Sequence, residues 1–181
     1  GYSTAEERPL LNFSSQGPGD SNRAFFLKAG ANYWHLKGFI IKEAGDNGIK
    51  IESNWNIIEF IYFDGCYDSG IQIGLAKDSG SNDGSCAYNY ILNCDSYNNC
   101  DSISGDPLGS NSGATGAGFD AWTDGINGKT YFINCRAWGN SDQGYSIGSD
   151  AYVKAVGCWS FANKAYVAGG GAGYKLGWQD I

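Results

Sequence analysis

The 181-residue sequence predicts an all-β fold, a parallel β-helix whose turns are about 22 residues long. Three observations carry that prediction. The chain holds 28 Gly, 15% aromatic residues, only 3 Pro and no Met. Segments of one pattern recur just over twenty residues apart. Each recurrence ends in a short strand-like segment led by glycine.

Composition sets the class. Glycine and asparagine accept the left-handed backbone of tight turns. Aromatic and β-branched residues favour strands. No window sustains apolar spacing at the helical period, so no long helix is expected. The formal charge of −7 leaves no basic patch to release counterions, so no nucleic-acid partner is expected. A divalent cation could still bridge an acidic chain to an acidic polymer. No apolar run is long enough to span a bilayer, so no membrane partner is expected. Six cysteines without a CxxC motif do not suggest a zinc ribbon, and they are too few for a disulfide framework of this length.

The elements follow in order. HLKGFIIKEAGDNGIKI (His35 to Ile51) and IIEFIYFDGCYDSGIQI (Ile57 to Ile73) align Gly48 with Gly70 and Ile49 with Ile71. His35, the single histidine, reads as a structural residue of the first strand. YILNCDSYNNCD, YFINCRAWGNSD and AVGCWSFANK then align Cys94, Cys135 and Cys158, next Tyr97, Trp138 and Phe161, next Asn99, Asn140 and Asn163. Each turn reaches GIKI, GIQI, GFDA, GYSI or GYKL. One turn cannot bury its apolar face alone, but turns stacked about 4.8 Å apart build a continuous core. Equal positions therefore form ladders. The cysteines are expected to point inward as small apolar groups, the aromatic row to form core or wall, and the asparagines to bond along the stack.

Two Gly/Ser/Asp-rich stretches break the period, about 78–87 and about 102–116. They read as projecting loops, either walls of a groove or tolerated insertions. Cys86 and Cys100 lie in or beside them, and pairing among Cys66, Cys86 and Cys100 is open.

Strand alternation puts Ile49, Ile71, Phe119, Tyr145 and Tyr174 on one face and Lys50, Gln72, Asp120, Ser146 and Lys175 on the other. The second column is polar and is expected to face solvent. Asp46, Asp68 and Asp142 precede it. Carboxylates and lysines on one outward face fit a sugar-acid site in which Lys50 and Gln72 contact substrate. The plain alternative is an ordinary solvated face.

YWHLKGFIIKEAGDNGIKI, NCDSYNN, NCRAWGNSD and GYKLG together resemble the polysaccharide lyase family 9 pectate lyases, from about Arg8 to Gly177. The resemblance implies a right-handed parallel β-helix, secreted, that cleaves polygalacturonate by β-elimination. It implies a calcium cofactor held by aspartates and a lysine base. The family's Gly-aromatic-Lys-Leu-Gly motif falls on Gly173 to Gly177, making Lys175 the catalytic candidate. The calcium motif Asn-Ser-Asp-Asp-Gly-aromatic-Asp falls on Asn140 to Ser146, where Asp142 remains but Gln143 and Ser146 replace aspartates. A further Asp-Gly-Phe ligand segment falls on Ala117, Gly118 and Phe119. Asp120, one turn from Ser146, is a substitute ligand. With Asp142, the Gln143 carbonyl and the Ser146 hydroxyl it offers a weaker metal site, with Asp124 nearby.

The expected function is thus calcium-assisted lysis of an acidic polysaccharide. The alternative is a non-catalytic pectin-binding or self-stacking β-helix. Family chains begin several turns before YWHLKGF and continue past KLG. The chain is therefore expected to form one domain, 1–181, lacking some turns, whose open ends contact another copy or further chain.

Overall fold

The computed structural model describes residues 8–74, 86–101, 115–121, 129–148, 152–164 and 170–177. Three parallel sheets enclose one core. The first sheet stacks β1 (Leu10–Asn12), β4 (Ile40–Lys42), β7 (Tyr62–Asp64), β10 (Asp95–Tyr97), β13 (Arg136–Trp138) and β16 (Trp159–Phe161). The second stacks β2 (Phe25–Leu27), β5 (Ile49–Ile51), β8 (Ile71–Ile73), β11 (Phe119–Ala121), β14 (Tyr145–Ile147) and β17 (Tyr174–Leu176). The third stacks β3 (His35–Lys37), β6 (Ile57–Glu59), β9 (Asn89–Leu92), β12 (Lys129–Ile133) and β15 (Tyr152–Val156). The chain visits the sheets in that order and then begins the next rung. The one helical element among the described residues is a single 3-10 turn at Ser14–Gln16. No helix among them is long and apolar enough to cross a membrane.

Alternation in three-residue strands decides what is inside. Ile49, Ile71, Phe119 and Tyr145 stack inward from the second sheet. Ile58, Ile91 and Phe132 do so from the third, and Ile41, Phe63 and Ala137 from the first. Phe119, Phe132 and Tyr145 meet at ring-centroid distances of 5.1–5.6 Å. Cys94 and Cys135 are fully buried, and Cys158 packs against the same core. The inward cysteine ladder expected from sequence is therefore present. Cys66 and Cys100 are both thiols. Tyr97, Trp138 and Phe161 stack on the outside of the first sheet, at 4.6 and 5.7 Å, so that row is wall rather than core.

Corners require a left-handed residue. One corner uses Gly38, Phe60, Asn93, Asn134 and Gly157, and the next uses Glu43, Gly65, Asn98, Gly139 and Ala162. All have positive φ, which Gly and Asn adopt at the least steric cost. The aligned glycines have a second cause. A Cβ on Gly48 would lie 2.6 Å from the Gly70 carbonyl oxygen, and one on Gly118 would lie 2.7 Å from that of Gly144. The rung spacing leaves no room for a side chain there.

Asparagines hold the turns between the first and second sheets. Asn99 donates from its backbone N–H and from Nδ2 to Asn140 Oδ1, at 3.2 and 2.8 Å. Asn140 repeats the pattern onto Asn163 Oδ1, at 3.2 and 3.0 Å. Sequence separation along the ladder changes from 41 to 23 residues without loss of register. A second ladder joins Trp34, Asn56 and Asn89 ahead of the third sheet. The ladders tolerate insertions because only the ends of each insertion must meet the stack. Of the stretches expected to project as loops, about 78–87 and about 102–116, residues 78–85 and 102–114 lie outside the described residues.

At the C-terminal end of the described stack, the core opens into a cavity of about 420 Å³ lined by Tyr145, Ile147, Val153, Tyr174 and Leu176. Leu176 is 75% exposed there.

The ladder is expected to be a main source of stability. Asn140→Ala strips one acceptor from two buried donors of Asn99 and removes its own bonds to Ser96 and Asn163. It should lower the unfolding free energy by roughly 2–4 kcal/mol. Urea denaturation measures this, and a loss below about 1 kcal/mol would mean that stacking alone holds the turns.

Candidate functional site

The outward face of the second sheet is one polar column. Parallel register sets Lys50 beside Gln72, Gln72 beside Asp120, Asp120 beside Ser146 and Ser146 beside Lys175. Each step is one rung, about 4.8 Å. Alternation thus brings together the five outward residues picked from sequence. Solvation differs from expectation. Lys50 and Asp120 are each only 5% exposed, Ser146 is buried, and Gln72 and Lys175 are half-buried. Lys50, Gln72 and Asp120 are not an ordinary solvated face, because they bond to one another along the column. Lys50 Nζ donates to Gln72 Oε1 (2.5 Å), and Gln72 Nε2 donates to Asp120 Oδ2 (3.3 Å). Burial lowers the Lys50 pKa, while the nearby charges of Glu52 and Asp120 act in the other direction.

Asp142 sits in the turn leading into β14 and is 7% exposed. Its Oδ1 accepts from the Gly170 N–H (2.6 Å) and from Gln143 Nε2 (2.5 Å). Burial raises the Asp142 pKa, while the Gly170 bond and the charge of Lys175 lower it. Asp142 and Lys175 are therefore within electrostatic reach of each other. Gln143 is buried with its amide nitrogen on Asp142, and its main-chain carbonyl accepts from Gly118 N–H. Ala117 stands where the resemblance calls for an aspartate, and it is buried. Asp124 lies outside the described residues.

The candidate set is all oxygen, which suits a hard cation such as calcium. Two carboxylates, a hydroxyl and an amide make it poorer in charge than an all-aspartate site. Among the described residues no group of three or more His, Cys, Asp or Glu could hold a metal ion. His35 is exposed on β3 and pairs with Glu59 at 2.9 Å.

A second acidic group lies toward the N-terminal rungs. Asp20, Asp46, Asp68 and Asp101 line a cavity of about 10 Å³ with Pro18 and Tyr67. Arg23 Nε lies 3.0 Å from Asp46 Oδ2, and Asn47 Nδ2 donates to Asp68 Oδ2 at 2.8 Å. The equal places of Asp46 and Asp68 in GDNG and YDSG were a readable signal. Asp101 recurs in the same place in NNCD, as Asp142 does in GNSD, so its approach to Asp68 was readable as well, across a longer interval.

A family model for the Pel9A-like right-handed β-helix region matches residues 2–181. The chain is 32% identical to pectate lyase L of Paenibacillus polymyxa (strain SC2) over 187 residues, covering 97% of this chain and 39% of that protein. It is 32% identical to pectate lyase L of Dickeya dadantii (strain 3937) over 153 residues, covering 81% of this chain and 32% of that protein. Its fold superposes on the crystal structure of pectate lyase Pel9A with a TM-score of 0.73 at 27% identity, covering 94% of this chain and 40% of that one. The chain spans about two fifths or less of the length of these relatives.

The second acidic group sets a pH response. Burial raises the Asp68 carboxyl from 3.8 to about 8, and the charges of Asp120, Asp46 and Asp101 add to the rise. Burial raises Asp46 to about 6 against the opposing charge of Arg23. Each carboxyl holds a proton in the folded state that the unfolded chain has released. Stability should therefore fall as pH rises from about 4 toward 8 and level off above that. Asp68→Asn should flatten the fall between pH 6 and 8. Thermal unfolding across pH reads this, and an unchanged slope in the variant would refute it.

Proposed function

Because the chain belongs to the Pel9A-like right-handed β-helix family, we propose that it is a pectate-lyase-like protein that cleaves polygalacturonate by β-elimination. The observation that carries this reading is the register. Lys175, Ser146 and Asp120 occupy successive rungs of one outward column, with Asp142 in electrostatic reach of Lys175.

The chemistry needs a base and a way to acidify the substrate. The C5 proton of a uronate is too weakly acidic for an unaided base at neutral pH. A calcium ion, when bound, withdraws charge from the uronate carboxylate and acidifies that proton. Asp120, Asp142, Gln143 and Ser146 are the residues that would hold it. Lys175 Nζ takes the C5 proton in its neutral form. The C5–H electrons form the C4–C5 double bond as the C4–O bond breaks, and the departing oxygen is protonated to a hydroxyl. Two carboxylates in place of the family's larger set predict weak calcium affinity and a high calcium requirement. An acidic polysaccharide as partner and an extracellular setting follow from the same reading.

A second reading is non-catalytic binding of pectin. Ala117, Gln143 and Ser146 favour it, because each replaces a carboxylate of the family motif. Longitudinal contact of the apolar rung at Leu176 with another copy, or with further chain, is part of the same proposal. Sedimentation at rising concentration tests that contact, and a concentration-independent monomer removes it.

Release of unsaturated uronate from polygalacturonate, followed by absorbance, tests the catalytic reading. Product should rise with added calcium and vanish with chelator. Lys175→Ala should lower the rate by about 100-fold or more. Affinity for the polymer with no product at any calcium level or pH would leave the binding reading.

A further inference from the structure

We propose that Lys50 and Gln72 are positioning residues that fix the Asp120 carboxylate for a divalent cation, rather than residues that touch the polysaccharide. The inference rests on the reading of Asp120 as a cation ligand. Its carrier is the direction of the hydrogen bonds along the column.

A lysine ammonium can only donate. Lys50 Nζ therefore forces the oxygen of the Gln72 amide to face it. That choice turns the Gln72 nitrogen toward Asp120, where it donates to Oδ2. Asp120, an acceptor-only carboxylate, makes the matching demand from the other side, so the amide has one orientation between the two and Lys50 anchors its oxygen end. The three residues are adjacent in register, and Lys50 and Asp120 are each 5% exposed. The bonds thus form in a poorly solvated environment, where a fixed donor counts for more than it would in water. The burial of Lys50 also argues against direct contact with a polymer. Partners of this kind orient a metal ligand without touching the metal.

The proposal makes a prediction opposite in sign to simple electrostatics. Lys50 is a cation near a candidate cation site. If charge alone mattered, Lys50→Met would tighten calcium binding. If Lys50 acts by anchoring Gln72, the same change should weaken it, because an amide held at one end only no longer fixes Asp120 in place. Titration calorimetry with calcium should show about a tenfold loss for Lys50→Met and for Gln72→Leu. The double variant should lose no more than the larger single effect, since both act on the same step. Lys50→Arg, also a donor-only cation, should retain most of the affinity. Lys37→Met, which removes an exposed lysine paired with Glu59 on the third sheet, should change nothing.

A second measurement does not need calcium. Hydrogen exchange of the Gln72 side-chain amide, followed by ¹⁵N NMR, should be slow in the native chain and faster in Lys50→Met and in Asp120→Asn. Exchange unchanged in both variants overturns the proposed bond direction. Calcium affinity equal or tighter in folded Lys50→Met overturns the positioning role. A native chain that binds no calcium while Gln72 remains protected removes the cation reading of Asp120 instead, and with it the purpose assigned to the relay.

Discussion

Parallel hydrogen bonding between rungs holds each residue about 4.8 Å from its equivalents above and below. Every other feature of the fold answers to that spacing. A buried polar residue is tolerable only if it can satisfy its copy on the next rung. Asparagine can, because its amide both donates and accepts, so Asn99, Asn140 and Asn163 pass bonds along in one direction. Cys66 occupies the next place on this ladder. Its backbone N–H donates to Asn99 Oδ1, but a thiol cannot continue the pattern, and the ladder ends there. Glycine appears where the neighbouring carbonyl already fills the space of a Cβ.

The same rule makes stacked charges a problem. Identical carboxylates on successive rungs repel at close range. The molecule answers in two ways. One is alternation of sign or polarity: Asp95 stands beside Arg136 in a two-point bond, and Lys50, Gln72 and Asp120 run from cation through amide to anion. The other is proton uptake, as at Asp46 and Asp68, whose pKa values rise in the folded chain. Charge along a β-helix is therefore arranged by column as much as by local sequence.

This arrangement bears on the positions where the resemblance calls for calcium ligands. Ala117, Gln143 and Ser146 remove carboxylates from neighbouring rungs, while Asp120 adds one in an outward column. Asp142 keeps its place but spends one oxygen on Gly170 and Gln143. On the proposed reading this leaves fewer like charges to hold apart and less charge to hold a cation. The lysine motif at Gly173 to Gly177 thus occurs with few carboxylates at the proposed ligand positions, in a chain that matches the family model along nearly its whole length.

The period, the inward and outward columns and the asparagine and cysteine ladders were legible because a repeat states the same structural requirement several times. Gly48 with Gly70, and Asn99 with Asn140, identify their places by recurrence alone, whatever the length of chain between them. Register then followed from alternation, which is why Asp120, Ser146 and Lys175 could be assigned to one face without coordinates. Recurrence names a row but not which way it faces or what it meets across a corner. The outer place of the Tyr97 row and the approach of Asp20 to Asp46 depend on how corners turn. The burial of Lys50 and Asp120 was misread for a related reason. Polar character predicts solvent exposure only when a side chain has no better partner, and the partners of these two stand on other rungs. Sequence determined which residues share a column; tertiary structure decided which of them meet water, because that depends on bonds between rungs that local sequence does not encode.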